Sequence, residues 1–333
     1  MELRQIFINR AGRLRSGWRL LVFVLIYTFL LFLLTSGMRV VYALATYLLP
    51  GLVWPNNLAD FVFRLILLIS SVGAGFFCTR AIEGLPWRAL GLSCHEGWLR
   101  DLLIGSAIGV ASLALATGIA TAGGGLRFSF FTAATLSQVG QTLLFSAIIF
   151  IVAALAEEVL FRGYPLQTLT RAGLASLGVL LTSVPFAAIH LQNPNVVQGF
   201  TFVNTALAGV WFAIAYLRTR SLWFPLGIHW AWNWTQGSLF GLPVSGITKL
   251  APHPLVQGTD LGPAWLTGGG YGIEGGLACT VALVISTLFI WRTRLVTATD
   301  ELRTLTSQEN PTHSNLVVST AVSRAPSNGP GAH

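Results

Sequence analysis

The sequence predicts an all-α, polytopic membrane protein of about eight transmembrane helices, with an active site in a cavity within the helix bundle. Three observations predict it. Of 333 residues, 53% are hydrophobic and only 10% charged, with a mean hydropathy of +0.68, whereas soluble domains carry roughly 25% charged residues. The apolar residues gather in runs close to the roughly 20 residues that a bilayer requires. Between Asp101 and Asp260 the only acidic residues are Glu157 and Glu158, and ionisable groups at membrane depth are costly and mark function.

The apolar segments are taken in order, each from its length and charge depletion. They fall at about 18–38, 60–80, 102–122, 139–161, 174–192, 200–217, 222–242 and 272–291. The stretch VVYALATYLLPGLVW at 40–54 is apolar too. It either extends the first helix or lies at the interface, and Pro50 and Pro55 argue against a further full span. The 243–271 segment, rich in Gly and Pro, reads as a long loop. These limits divide the chain into N-terminal helices with a loop (1–100), a catalytic membrane core (101–242), an extracytoplasmic loop with the last helix (243–294), and a tail (295–333). The tail is rich in Thr, Ser, Asn, Pro and Gly and is expected to be disordered and cytoplasmic.

Basic residues set the expected topology. With a cytoplasmic N-terminus, only Arg39, Arg64, Arg127 and Lys249 fall outside, leaving 20 − 4 = 16 of the basic residues inside. That asymmetry fits the positive-inside rule and puts both termini in the cytoplasm. The net charge of +8 then reflects anchoring on an anionic leaflet, with no nucleic-acid partner. No cleavable signal peptide is expected, because the first apolar run is too long and lacks a small-residue cleavage site. Cys78, Cys94 and Cys279 lie far apart, indicating neither a disulfide framework nor a CxxC site. The Arg-rich, nearly Lys-free composition suggests a bacterial cytoplasmic membrane.

The chemistry concentrates in three short stretches. In AEEVLFRG, Glu158 and Arg162 are four apart and share a helix face. Glu157 lies about 100° around and is free for other work. In VPFAAIHLQNPN, Pro185, Phe186 and His190 lie close together. In FPLGIHWAWNW, His229 and Asn233 share a face. Pro185 and Pro225 precede the two histidines, and each removes a backbone donor, as tolerated where water or neighbours resatisfy the helix. A carboxylate, two imidazoles and an amide brought to one pocket have the parts of a hydrolytic site. Depth arithmetic puts that site in the inner half, open to the cytoplasm, provided the fourth span continues past Arg162 or the helices tilt.

These stretches match E-E-x-x-x-R (Glu157, Glu158, Arg162), F-x-x-x-H (Phe186, His190) and H-x-x-x-N (His229, Asn233). In that order the sequence resembles the CPBP intramembrane proteases, which include type II CAAX prenyl proteases and bacteriocin-processing enzymes. The resemblance spans about residues 80–240, and GLPWRALGLS at 84–93 resembles the segment ahead of that core. It implies an intramembrane protease whose cavity faces the cytoplasm. Glu157 would be the general base and His190 would position the water. His229 and Asn233 would stabilise the oxyanion, with Glu158, Arg162 and Phe186 supporting. A metal-free, glutamate-dependent mechanism is favoured, with zinc on Glu157, His190 and His229 as the alternative; the H-E-x-x-H pattern is absent. The expected substrate is a membrane protein or peptide in the bilayer. The competing readings are an inactive relative acting as a membrane interaction or immunity protein, and a proton-coupled transporter using Glu157 and His190.

Overall fold

A computed structural model describes residues 6–9, 13–130 and 134–307 of the chain. Helix α1 (Ser16–Leu48) is 33 residues long, about 50 Å at 1.5 Å per residue. The apolar stretch after residue 40 therefore extends the first helix as far as Leu48. Helix α2 (Asn56–Phe77) ends in a π-turn, Cys78–Ile82. Helix α3 (Trp98–Ala122) stops at the Gly123–Gly125 run.

Helix α4 (Leu136–Glu158) opens with a capping box, in which the Thr135 side chain accepts from the Gln138 backbone and Gln138 returns a bond. It does not stop at the glutamates. A π-turn, Val159–Gly163, carries it into α5 (Tyr164–Arg171), so that Leu136–Arg171 is one 36-residue rod. Then come α6 (Ala175–His190), α7 (Phe200–Thr219) and α8 (Trp223–Trp234), the last prolonged by the π-turn Thr235–Leu239. Helices α9 (Leu277–Arg292) and α10 (Asp300–Ser307) complete the described chain.

Among the described residues, five helices are long and apolar enough to cross a membrane: Ser16–Leu48, Leu58–Ile82, Trp98–Ala122, Leu136–Arg171 and Phe200–Thr219. The remaining expected spans, at 174–192, 222–242 and 272–291, carry the shorter helices α6, α8 and α9. The 243–271 segment is not all loop. Its strand β2 (Val256–Asp260) pairs antiparallel with β1 (Leu126–Phe130), with Phe128 opposite Gly258. Of the expected tail, residues 300–307 are helical, with Glu301 2.9 Å from Arg88; residues 308–333 lie outside the described residues.

Missing side chains set the closest helix contact. A Cβ on Gly105 would lie 2.3 Å from the Phe224 carbonyl, one on Gly109 2.4 Å from that of Ile228, and one on Gly227 2.2 Å from that of Leu102. Small residues let membrane helices approach backbone to backbone, and here they clamp α8 onto α3. At one end of the bundle, Glu83 gathers Arg19 (3.6 Å), Arg171 (2.5 Å) and the Thr168 hydroxyl (2.6 Å). The Leu222 amide donates to the Gly91 carbonyl at the same end.

Candidate active site

The two glutamates of α4 face different partners, as their 100° separation requires. Glu158 is fully buried and lies 3.3 Å from Arg162, also fully buried. Its Oε1 is also 2.9 Å from His229 Nδ1, a partner that the spacing within α4 does not reveal. Arg162 donates to the Gly209 carbonyl (3.0 Å), and its guanidinium sits over Phe186 at 4.6 Å and Phe212 at 5.2 Å. A buried arginine thus has one carboxylate, one carbonyl and aromatic faces around it. The Phe212 ring also stacks on His229 at 4.5 Å.

Glu157 is partly exposed, and its Oε2 lies 3.7 Å from His229 Nε2. That oxygen takes no hydrogen bond among the described residues. His190 closes α6, where its Nδ1 lies 2.6 Å from the Phe186 carbonyl. A carbonyl only accepts, so Nδ1 carries the proton and Nε2 is left for other partners. Pro185 is inside α6, as expected. Pro225 is in the first turn of α8, where the missing N–H costs nothing, so the expected break there is a helix start.

A cavity of about 230 Å³ brings Glu157, Phe186, His190, His229 and Asn233 to one surface. Glu158 and Arg162 lie behind it. The cavity also contains residues that the motifs leave out: Arg64 from α2, Asn204 from α7, and Ser245 and Glu274 from the 240–276 connection. The Ser245 amide donates to Glu274 (2.5 Å). Burial raises the Glu274 carboxyl above its ordinary range, and that hydrogen bond opposes the rise. Arg64 is the one charge in the run FVFRLILLIS, and an isolated charge in an apolar run was a signal available for it. Glu274 gives little such signal, since it follows a glycine-rich loop.

The cavity walls include Asn193, Val244, Ile247 and Leu250, from the connections at the arginine-poor end of the bundle. The fourth helix continues past Arg162 to Arg171, the condition that the depth arithmetic set for Glu157, His190 and His229 to meet. Among the described residues, no three His, Cys, Asp or Glu side chains gather as a metal-holding group.

Residues 139–235 match the family described as Type II CAAX prenyl endopeptidase Rce1-like, which bears out the resemblance read from the three motifs. The chain is 37% identical over 95 residues to an uncharacterized 24.3 kDa protein of Escherichia coli, a match covering 28% of this chain and 42% of that protein. The chain thus spans less than half the length of that relative. No solved structure matches.

Proposed function

We propose, from the match of residues 139–235 to the Rce1-like family, that this membrane protein is an intramembrane endopeptidase acting on a membrane-associated protein or peptide. The observation that carries the reading is Glu157 beside His229, at 3.7 Å, on a cavity shared with His190 and Asn233. Glu157 takes a proton from a water molecule as the oxygen attacks the peptide carbonyl. His190 Nε2 accepts the second water hydrogen and sets its direction. The oxyanion that forms is met by the Asn233 amide and by Nε2–H of His229. The His229 ring donates from Nε2 when both nitrogens carry protons, since Nδ1–H stays on Glu158. Glu158 compensates that charge, and Arg162 in turn holds Glu158. Glu157 then delivers its proton to the departing amine as the C–N bond breaks. The roles need no metal, and each is performed by a side chain of this chain.

The test compares membrane proteomes of cells carrying wild-type protein or Glu157→Gln, which keeps shape but not the proton acceptor. A precursor that accumulates only with Glu157→Gln is the expected result. Purified Glu157→Gln cleaving such a precursor at the wild-type rate would remove Glu157 from the mechanism.

A further inference from the structure

Among the described residues three arginines are buried, and each has a carboxylate. Arg19 and Arg171 share Glu83, and Arg162 pairs with Glu158. A cation at membrane depth requires as much, because only a counter-charge or a set of acceptors offsets the cost of placing it there. Arg64 breaks the pattern. It is the single charge in the run FVFRLILLIS of α2, is half-buried, and lies on the cavity wall. Among the described residues no carboxylate pairs with it and no carbonyl accepts from it, and its Nε is buried without a partner.

The acids of the same cavity are engaged elsewhere. Glu157 Oε2 lies 3.7 Å from His229 Nε2, and Glu274 Oε2 accepts from the Ser245 amide at 2.5 Å. Burial raises the Glu274 carboxyl above its ordinary range, so it repels a further anion less. Helix α2 packs on α4, the helix that carries Glu157, and Arg64 shares a cavity surface with the hydrolytic groups. A guanidinium presents a planar fork of donors that matches a carboxylate in two parallel bonds. We propose that Arg64 is a substrate-binding residue that takes a carboxylate of the peptide, either the α-carboxylate at its C-terminus or an Asp or Glu side chain. Other walls of the cavity, such as Phe150, Ile189, Trp211 and Leu283, are apolar, so the peptide selected is apolar apart from that anion. Its being a peptide rests on the hydrolytic reading above; its anionic group rests on Arg64.

The test measures equilibrium binding of three N-acetylated pentapeptides of leucine and alanine to the purified protein in detergent at neutral pH. The first ends in a free acid, the second in an amide, and the third is the amide with one internal glutamate. Wild-type protein is expected to bind an acidic peptide about 10- to 100-fold more tightly than the neutral amide, the scale of a charge-assisted pair. A gap for the first peptide identifies the terminal carboxylate as the ligand, and a gap for the third a side chain. Arg64→Gln should abolish the gap and leave affinity for the amide unchanged. Arg64→Lys, which keeps the charge but not the fork, should shrink it, and serves where Arg64→Gln does not accumulate. Wild-type protein that binds all three alike, or binds none, would overturn the proposal, as would a gap undiminished in both variants. Cleavage of the same peptides by wild type and Glu157→Gln is read separately. Turnover that ignores the carboxylate and is lost in Glu157→Gln leaves the hydrolytic reading standing while this proposal fails; carboxylate-dependent binding without turnover is the reverse.

Discussion

His229 meets a different carboxylate on each ring nitrogen, Glu158 at 2.9 Å and Glu157 at 3.7 Å, and this divides the work between them. Glu158 is fully buried between a histidine and an arginine, so it is a fixed partner. Removing Arg162 takes away its permanently charged partner, and breaking a buried pair from one side costs about 3–5 kcal/mol. Arg162→Ala should therefore lower the thermal unfolding midpoint in detergent, and Glu158→Gln in the same chain should restore part of it. A single mutant as stable as wild type would sink the pairing. Asn233 belongs to the other half of the site. Asn233→Ala should lower kcat/KM about 10²–10³-fold, the scale of one lost oxyanion donor. Asn233→Asp should be worse, because a carboxylate repels the oxyanion; activity equal to the alanine variant would deny Asn233 that role. Turnover should also survive a membrane-permeant chelator, and loss of activity together with stoichiometric zinc would return the metal alternative.

At the scale of elements, the clamp between α3 and α8 fixes the height of His229. Gly109 faces the carbonyl of Ile228, the residue before the histidine. Gly109→Ala has to push α8 outward and should reduce both stability and activity. Gly118, on the same helix, meets nothing within 4 Å, so Gly118→Ala should be neutral or stabilising by up to about 1 kcal/mol. Equal effects of the two on melting and turnover would mean that the close approach is not what positions the site. The E-E-x-x-x-R pairing was legible because a helix fixes which residues share a face. The second partner of Glu158 was not, since it depends on how α8 is rotated against α4. The continuation of α4 past Arg162 was one of two alternatives that the sequence left open. Gly163 and Pro165 look like a stop, yet the π-turn at Val159–Gly163 places Pro165 in the first turn of α5, where a missing donor is harmless.

Across the whole molecule, large apolar side chains such as Leu25, Phe29, Phe32, Leu144 and Phe145 point outward, as lipid-facing residues do. Alkaline carbonate washing should leave the protein in the membrane pellet; release into the supernatant would contradict an integral protein. Composition alone made the all-helical membrane class readable. The number of spans was less so, because α6, α8 and α9 are shorter than a bilayer crossing requires and only packing reveals their place. The β1–β2 pairing joins residues more than 120 positions apart, beyond any local pattern. Arg64 and Glu274 reached the cavity from outside every motif.

The Glu83 cluster has a mechanical consequence. It pins α1, α5 and the turn after α2 together at the end opposite the cavity. The Leu136–Arg171 rod is thereby a lever with its fulcrum at Arg171. Glu157 sits fourteen residues along it, about 21 Å from that fulcrum at 1.5 Å per residue. Tilting the rod by about 5° would swing the carboxylate by about 2 Å while leaving the pinned end in place, enough to make or break its approach to His229.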